Sequence, residues 1–422
     1  MWLAACFSPA LHSGKANELT VKQTTLEILF WLAACVIAYV YAGYPALLYF
    51  FSRKGNRSVP LDGGGTPDVT LLISAYNEKT VIAEKLQNVL ALNYPRDRLE
   101  IIVISDCSDD GTDEIVAGFP EEHVRLVRQQ QRLGKSEGLN LGVAQARGEI
   151  LAFSDANSMY QPDAIRNLAR HFADPRIGYV VGNCAYMKTP GQPVSAESEG
   201  LYWKLETWLK ERESDFGSVV GGDGAIYAIR RELFSPLRAT DINDFLNPLQ
   251  IIVRGFRGLY DGTAICYEQA GDSFEKEFHR KVRIISRSLN AVRRAWPVLL
   301  PWTQPRHWLA LMSHKVLRWF IPVFLLLTLL ASLLLRGLPL YRLMFIVQIA
   351  FYALAAAGWA IESRRSAPRI LYLPYYFCLV NLASLLGISK FLRGSLSPTW
   401  QTIRHEASSP QDSGAPLAKR GS

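Results

Sequence analysis

Paired cysteines are missing from this 422-residue chain, which has only six cysteines and no Cys-x-x-Cys motif. The six lie far apart along the sequence, at Cys6, Cys35, Cys107, Cys184, Cys266 and Cys378. Neither a zinc site of the finger or ribbon type nor a disulfide framework is therefore indicated, and a reducing compartment fits. Internal repeats are also missing, which excludes the solenoid and propeller architectures.

The middle of the chain also lacks a basic stripe interleaved with aromatic residues, so the net charge of +8 does not indicate binding to nucleic acid. The basic residues cluster instead beside apolar segments. Two such clusters are Arg53, Lys54 and Arg57, and Arg364, Arg365 and Arg369. Basic loops next to apolar segments are typical of the cytoplasmic side of a membrane. We therefore expect membrane lipids, and no nucleic acid, among the partners.

Long hydrophobic runs are plentiful. Residues 25–51 carry no charge after Glu27 and are long enough to cross a hydrocarbon core of about 30 Å. The run starts too far into the chain for a cleaved signal peptide, and no basic n-region precedes it. Residues 316–335, 340–361 and 370–389 are three further candidates. The sequence predicts a multi-pass protein of the plasma (inner) membrane, with the region after the first span in the cytoplasm.

The last hydrophobic segment leaves two topologies open. If it spans the membrane, the tail with Lys390, Arg393 and Arg404 lies outside, against the charge rule. It could instead be re-entrant, helped by Pro374. The stretch before the second span mixes tryptophans with basic residues, which suits a helix on the membrane surface as well as a plain linker.

The predicted organisation follows from these segments and from the composition between them. It comprises an N-terminal segment (1–24), a transmembrane helix (25–51), a linker (52–67), an α/β domain (68–294), an interfacial helix region (295–315), two or three transmembrane segments (316–392) and a partly disordered tail (393–422). Within 68–294, continuously apolar strand-like runs alternate with helix-like stretches. This alternation predicts a doubly wound, mostly parallel sheet buried on both faces, with ligands at the carboxyl ends of its strands.

Three carboxylates follow apolar runs in this domain. Asp106 ends the run 101–104, Asp155 ends the run 150–153, and Asp244 follows a looser run. Asp106 could accept a hydrogen bond from the imide N–H of a uracil-like base, and Tyr76, after the first strand, could stack on its ring. The alternative for the turn after Asp106 is that Ser, Asp and Gly merely cap the next helix.

Positively charged residues at the start of a predicted helix favour the binding of a diphosphate. Arg132 and Lys135 flank Gly134 at the beginning of a predicted helix, where cations and free N–H groups suit an anion. No upstream glycine completes a nucleotide phosphate loop here. Asp155 and Asn157, two residues apart at a strand end, can hold Mg²⁺ or Mn²⁺ that bridges phosphate oxygens. The alternative is that Asp155 only caps its turn.

Seven short segments occur in one order: SAYNE, SDCSDDGT, RLGKSEGLN, SDAN, GGDGAIYAIRRELF, INDF and HRKVRI. In this order they resemble the inverting family-2 glycosyltransferases with the GT-A fold. The resemblance runs from about residue 69 to 294, and the flanking apolar segments are similar to those of the membrane-bound branch that includes cellulose, chitin, hyaluronan and poly-N-acetylglucosamine synthases. Each motif is weak alone, whereas the ordered set is specific.

The resemblance implies roles for individual residues. The implied donor contacts are Tyr76, Glu78, Asp106, Lys135, Asp155, Arg280 and Arg283, the last two standing where the synthases carry QxxRW. Asp155 and Asn157 correspond to the metal-binding DxD pair, and Asp244 to the aspartate that acts as general base. Gly222, Asp223 and Gly224 correspond to the acceptor-side loop. A single tight turn is the simpler explanation of that loop.

Four positions depart from the family pattern. Asn243 stands where the glutamate of the TED motif is expected, and Asn157 replaces the second aspartate of DxD. Arg280 and Ile284 stand where the processive synthases have Gln and Trp. Since that Trp helps to position the growing polymer, strict kinship with cellulose or hyaluronan synthase is in doubt.

The expected function is a metal-dependent inverting hexosyltransferase. It would move a sugar from a nucleotide-sugar donor, which we expect to be UDP-linked, to a lipid-linked or polysaccharide acceptor. We expect it to act in exopolysaccharide or cell-envelope glycan synthesis, with partners in an envelope polysaccharide assembly. One alternative is a processive synthase that also translocates its product. An alternative of another class is a non-catalytic membrane subunit that uses the same fold for assembly or sensing, which the presence of all three carboxylates disfavours.

Overall fold

The computed structural model describes residues 10–52, 66–120, 122–187, 194–269, 274–361 and 369–396. The strands are β1 (Val69–Ala75), β2 (Leu99–Ser105), β3 (Val124–Arg128), β4 (Ile150–Asp155), β5 (Met159–Tyr160), β6 (Ile177–Met187), β7 (Tyr227–Arg230) and β8 (Arg257–Gln269). The helices are α1 (Ala10–Ala38), α2 (Tyr44–Phe51), α3 (Ile82–Leu90), α4 (Thr112–Ala117), α5 (Lys135–Gln145), α6 (Ala164–Ala169), α7 (Val194–Phe216), α8 (Asn243–Val253), α9 (Phe274–Arg294), α10 (Pro305–Ala310), α11 (Leu317–Leu334), α12 (Pro339–Ala360) and α13 (Arg369–Leu392). Several predicted elements, including the basic clusters at 53–57 and 364–365 and the tail beyond 396, lie outside the described residues.

The strands form one eight-stranded sheet in the order β3-β2-β1-β4-β7-β6-β8-β5. Strands β1 to β4 are mutually parallel, β6 and β8 are parallel, and β7 runs antiparallel between β4 and β6. Every residue of β1 is buried, as its continuously apolar sequence predicts for a strand covered on both faces. The predicted doubly wound, mostly parallel α/β fold is confirmed.

Helices cover both faces of the sheet. On one side α3 places Ile82, Leu86 and Val89 in a buried cluster with alternate residues of β1. On the other side α5 packs its buried face, including Leu139, against Leu72 of β1. Since successive strand residues point to opposite faces, Leu71 and Leu72 belong to different cores.

Four helices are long and apolar enough to cross a membrane: Thr20–Phe51, Pro305–Leu334, Pro339–Ala360 and Ile370–Leu392. The first is a single helical rod in which a π-helical turn, Tyr39–Gly43, joins α1 to α2. The second begins earlier than the sequence predicted, because α10 continues into α11 through another π-helical turn, Leu311–Val316. The assignment of 295–315 to the membrane surface stays a prediction.

The sheet domain and the apolar helices are joined by a buried ionic cluster, which consists of Tyr44, Glu206, Glu213, His314 and Arg318. His314 Nδ1 lies 2.7 Å from Glu213 Oε1, and its Nε2 lies 3.1 Å from Glu206 Oε2. Tyr44 donates to Glu213 over 2.9 Å, and Arg318 donates to Glu206. Burial alone would raise the pKa of Glu206, but the neighbouring cations hold it well below the ordinary value. The cluster therefore ties α7 to the first two membrane-length helices.

Candidate active site

The pairing register of the parallel strands brings the predicted site residues to one edge of the sheet. In the parallel pairs, Ala75 of β1 lies opposite Ser105 of β2, and Ser74 lies opposite Asp155 of β4. The residues that follow β1 and β2, Tyr76 and Asp106, therefore emerge beside the carboxylate that ends β4. Ligands bind at this edge in open α/β sheets, so the segments separated in sequence meet where such a fold places its site.

Asp106 is held in a pocket that leaves one carboxylate oxygen available. The side chain is 2% exposed, and its Oδ1 accepts hydrogen bonds from Gln129 Nε2 (2.7 Å) and the Gly134 backbone N–H (3.0 Å). Burial raises the pKa of Asp106. Its Oδ2 is buried and has no hydrogen-bond partner among the described residues. Because an unmet buried acceptor is costly, a ligand N–H is a natural partner for this oxygen.

Tyr76 and Glu78 stand in the neighbouring turn. The Arg132 guanidinium lies over the Tyr76 ring, 3.7 Å from its centroid, so an aromatic face and a cation already stack at the rim of the Asp106 pocket. The Glu78 backbone N–H donates to Thr112 Oγ1 over 2.8 Å, which fixes the turn against the start of α4.

Backbone strain is concentrated at the same edge. Asn77 (φ +53°) and Cys107 (φ +63°) are the non-glycine residues with positive φ in the described part of the chain. Asn77 exchanges side-chain and backbone hydrogen bonds with Asp109 at 2.8 and 3.1 Å, which locks the two turns together. Left-handed non-glycine residues persist where surrounding contacts over-determine them, often at ligand sites.

Lys135 and Asp155 form an ion pair at the centre of the edge. Gly134 precedes α5 with φ +94°, a conformation that glycine adopts without steric cost, and thereby turns Lys135 toward β4. Burial alone would lower the pKa of Lys135, but the Asp155 carboxylate, with a smaller effect of Asp244, raises it. Lys135 is therefore a charged ammonium at the start of a helix, as an anion site requires.

Asp244 lies in the first turn of α8, whereas Asp155 ends a strand and Asp106 directly follows one. The looser run before Asp244 is a loop and not a strand. Its Oδ1 is buried without a hydrogen-bond partner in the described part of the chain. Burial raises the pKa of Asp244, as do Asp223 and Asp155, whereas Lys135 opposes the rise. A carboxylate in these surroundings holds a proton more readily than one in water.

Gly224 marks the point where the separately predicted groups converge. A methyl group placed on its Cα would lie 3.2 Å from Asp244 Oδ2, 3.5 Å from Lys135 Nζ and 3.8 Å from Asp155 Oδ2. The glycine therefore leaves a space about the size of one methyl group beside two carboxylates and an ammonium. A side chain at this position would crowd these groups, Asp244 most of all.

The loop around Gly224 is fixed by its neighbours. Gly222 donates its backbone N–H to the Asp244 carbonyl, so this loop and α8 are joined directly. Asp223 pairs with Lys210 of α7 at 3.4 Å and accepts the Ala225 N–H at 3.3 Å. Asn243 donates to the Tyr227 hydroxyl over 2.8 Å. Asn243 thus supports α8 structurally and contributes no second carboxylate.

Helix α9 supplies cations from the opposite side. Burial and Arg280 lower the pKa of Arg283, whereas Asp155 and Asp244 oppose that change, which puts Arg283 within electrostatic range of both carboxylates. Arg280 pairs with Glu277 at 2.6 Å. Arg280 also lowers the pKa of Glu268, so both predicted α9 residues lie within electrostatic range of carboxylates at the site.

Two charged residues near the site were not singled out in the sequence. Glu268 of β8 accepts a hydrogen bond from Ser158, and burial together with Asp155 raises its pKa to about 7. Arg287 lies one helical turn beyond Arg283 and is 8% exposed, and burial and Arg283 lower its pKa to about 10. The spacing of four residues from Arg283 could have revealed Arg287, whereas β8 carries no motif that points to Glu268.

The residues fit a divalent cation bound together with a phosphorylated ligand. Asp155 and Asn157 offer hard oxygen donors two residues apart, and the Asp155 side chain is 37% exposed. Throughout the described ranges, no group of three His, Cys, Asp or Glu side chains could hold a metal ion by itself. The remaining ligands would come from phosphate oxygens and water, the usual arrangement for Mg²⁺ with substrate phosphates.

Residues 70–237 match the family model described as Glycosyl transferase family 2. The chain carries a family-2 glycosyltransferase domain. That match contains the Asp106 pocket, Lys135, Asp155 and the Gly224 loop, whereas Asp244 and α9 follow it. The site of this glycosyltransferase domain is thus completed by residues beyond the matched segment.

Curated relatives match the same part of the glycosyltransferase. The chain is 27% identical over 235 residues to a probable glycosyltransferase, YdaM, of Bacillus subtilis, covering 51% of this chain and 54% of the relative. It is 25% identical over 248 residues to the poly-beta-1,6-N-acetyl-D-glucosamine synthase of Staphylococcus aureus, covering 56% and 60%. The chain therefore spans little more than half the length of either relative.

A solved structure shares the architecture over most of the chain. The mannosyltransferase PcManGT from Pyrobaculum calidifontis, in complex with GDP-Man and Mn²⁺, superposes with a TM-score of 0.64 at 24% identity, covering 86% of this chain and 99% of that one. At this identity the likeness shows the fold alone. The chain has the GT-A fold that the sequence predicted.

Proposed function

We propose that the protein is a membrane-embedded, metal-dependent inverting glycosyltransferase. It transfers a hexosyl group from a nucleotide-sugar donor, UDP-linked, to a hydroxyl of a lipid-linked or polysaccharide acceptor in exopolysaccharide or cell-envelope glycan synthesis. The observation that carries this proposal is the convergence of Asp155, Lys135 and Asp244 around the open space at Gly224. Lys135, together with a metal ion bound at Asp155, would neutralise the charge of the leaving diphosphate, and Asp244 would accept the proton of the acceptor hydroxyl. A displacement at an anomeric carbon requires both functions at one place.

The donor's base is assigned to the Asp106 pocket. The buried Oδ2 of Asp106 accepts an N–H of the base, and the Tyr76 ring with Arg132 covers its face. Uracil presents one imide N–H to such an acceptor, which supports a UDP-linked donor. The structural relative holds GDP-Man, so guanine is the competing base.

The diphosphate is assigned to Lys135, the start of α5, and Arg283 from α9. Lys135 is charged, and two cations on opposite sides of the carboxylates stabilise negative charge on the leaving group. Mg²⁺ or Mn²⁺ held by Asp155 and Asn157 would add Lewis-acid stabilisation of the same leaving diphosphate.

Asp244 is assigned as the general base. It takes the proton of the acceptor hydroxyl while the oxygen bonds to the anomeric carbon and the bond to the diphosphate breaks. One displacement inverts the anomeric configuration. Asp223 is less suited, because Lys210 and the Ala225 N–H already engage it, whereas Asp244 Oδ1 has no hydrogen-bond partner among the described residues.

The four membrane-length helices support a multi-pass protein with lipid partners. We assign the glycosyltransferase domain to the cytoplasmic side of the plasma (inner) membrane because the basic residues after Phe51 follow the first span. Nucleotide sugars are made in the cytoplasm, so this side also provides the donor. Helix α9 packs directly against α13, and this contact supports an acceptor side of the site next to the bilayer.

The test uses the purified full-length chain in lipid nanodiscs. UDP-linked hexoses and N-acetylhexosamines, and GDP-mannose, are each supplied with Mn²⁺ or EDTA and with lipid or glycan acceptors, and nucleoside diphosphate release is measured. We expect release from one UDP-sugar, dependent on metal and acceptor, and its loss in Asp155→Ala.

The outcomes separate the alternatives. Release from GDP-mannose alone would replace the assigned base. Long polymeric products would favour the processive synthase. Nucleotide binding without any turnover, in the parent as in Asp155→Ala, would contradict the enzymatic assignment and favour an assembly or sensing subunit.

A further inference from the structure

Lys85 is a fully buried lysine directly behind the loop that carries Asp155 and Asn157. It belongs to α3 and is 0% exposed. Its ammonium donates to Ser154 Oγ over 2.8 Å and to the Ser158 carbonyl. These two partners stand at the two ends of the loop, one residue before Asp155 and one residue after Asn157. A single ammonium therefore joins both ends of the loop that carries the assigned metal ligands.

The charge of Lys85 is unusual for its surroundings. The described residues include no carboxylate within ion-pair distance of its Nζ, and its close partners are a hydroxyl, a carbonyl and the Tyr160 ring, whose centroid lies 4.1 Å away. Burying a cation without a paired carboxylate costs free energy that an apolar side chain of the same length would avoid. Packing alone does not explain a lysine here.

The charge of Lys85 interacts with two carboxylates near the loop, those of Asp155 and Glu268. Burial lowers the pKa of Lys85 to about 7, and Asp155 and Glu268 are among the groups that oppose this change. Conversely, Asp155 raises the pKa of Glu268, so these two carboxylates repel each other. When it is protonated, Lys85 is attracted to both carboxylates and offsets part of that repulsion.

One helical turn along α3, Asn88 fixes the neighbouring strand β5 instead of the loop. Asn88 donates to the Tyr160 carbonyl over 2.9 Å and accepts the Tyr160 N–H over 2.8 Å. The Tyr160 hydroxyl in turn donates to the Phe153 carbonyl (3.1 Å) and the Ala225 carbonyl (3.0 Å). Asn88 thus anchors β5 without touching residues 154–158, which makes it a matched control on the same helix.

We propose that Lys85 is a positioning residue that fixes the loop from Ser154 to Ser158, so that Asp155 and Asn157 present their oxygens to a divalent cation in one arrangement. This role rests on the proposed function for the metal. Lys85 touches neither donor nor acceptor and acts only through the loop. The α3 helix would therefore carry a determinant of metal affinity that no DxD-type motif contains.

The experiment compares Lys85→Met, Lys85→Gln and Asn88→Leu in the full-length protein. Met keeps the length of lysine without charge or donor, and Gln keeps N–H donors without charge. Amide hydrogen exchange of residues 154–158 is measured in metal-free protein. UDP affinity is measured by calorimetry with Mn²⁺ and with EDTA.

We expect Lys85→Met to raise the exchange rate of these amides at least tenfold and to weaken Mn²⁺-dependent UDP binding at least tenfold, with affinity in EDTA unchanged within about twofold. Lys85→Gln should recover part of the exchange protection. Asn88→Leu should lower thermal stability while leaving Mn²⁺-dependent affinity within about twofold of the parent.

Parental exchange and parental Mn²⁺-dependent affinity in Lys85→Met would overturn the proposal, as would an equal loss of affinity in Asn88→Leu. If Lys85→Met does not fold, Lys85→Gln decides by the same two measurements. If UDP binding by the parent does not depend on metal, the metal assignment under the proposed function fails. The exchange comparison still decides whether Lys85 fixes the loop.

Discussion

Replacing Asp244 by Asn tests the assignment of the general base most directly. The substitution keeps the shape of the side chain and removes its capacity to accept a proton. The neighbouring residue is Asn243, whose amide is bonded to Tyr227, so no adjacent carboxylate can take over. We expect turnover to fall by about 10²–10⁴, the usual contribution of positioned proton transfer, which corresponds to about 3–5 kcal/mol of transition-state stabilisation.

The same variant should leave donor binding and folding almost unchanged. Donor and metal contacts are assigned to Asp106, Lys135 and Asp155, so nucleotide affinity measured by calorimetry should stay within about twofold of the parent. Burial, Asp223 and Asp155 all raise the pKa of Asp244, which means that the fold does not gain from its charge. The thermal unfolding midpoint should therefore stay the same or rise.

Asp241→Asn is the matched control, three residues earlier in the same segment. Asp241 is 0% exposed, pairs with Arg294 and accepts the Arg238 backbone N–H over 2.7 Å. Breaking a buried pair of this kind costs about 3–5 kcal/mol of stability. Asp241→Asn should therefore lose stability, whereas Asp244→Asn should lose turnover and keep its stability. Parental turnover with normal donor binding in Asp244→Asn would refute the assignment, and Asp223 would be the next residue to replace.

Further predictions concern the groups around the same space. Lys135→Ala should weaken nucleotide binding by about 1.5–3 kcal/mol in Mn²⁺ or EDTA, measured by calorimetry, and a change in stability alone would show a structural role. Gly224→Ala should lower kcat by about 10², because its methyl group lies 3.2 Å from Asp244 Oδ2, and parental kcat would show that the acceptor approaches elsewhere. The pKa of Glu268 rises from 4.5 to about 7 on folding, so the folded state binds its proton more tightly. Stability of the metal-free parent should therefore fall as pH rises from about 4.5 to 7, by at most about 1.4 kcal/mol per pH unit for this group, and Glu268→Gln should flatten that dependence in thermal unfolding.

Local sequence determined the first half of the glycosyltransferase domain well. The strand-like run that opens the domain forms β1, Val69–Ala75, and the helix predicted at Lys135 begins at that residue. These elements are continuously apolar or start at a glycine with positive φ, so short-range patterns suffice. Parallel pairing then brings Asp106 and Asp155 to one edge without any further information.

The second half depends on long-range packing that short patterns do not encode. Asp244 lies in the first turn of α8, and its backbone carbonyl accepts the Gly222 N–H from a loop about twenty residues earlier in the chain. Glu268 and Lys85 reach the site from β8 and α3, which are distant in sequence. Their importance comes from what they meet in the fold, and no spacing rule relates them to Asp155.

The ionic cluster of Glu206, Glu213 and His314 limits how this protein can be handled. A soluble fragment cut before the second apolar helix would keep both carboxylates on α7 and lose His314, Lys315 and Arg318, which supply their charge partners. Uncompensated buried carboxylates destabilise a fold strongly. The sheet domain should therefore resist excision by proteolysis or gene truncation, and crystallisation or directed evolution of this protein should proceed with the apolar helices attached.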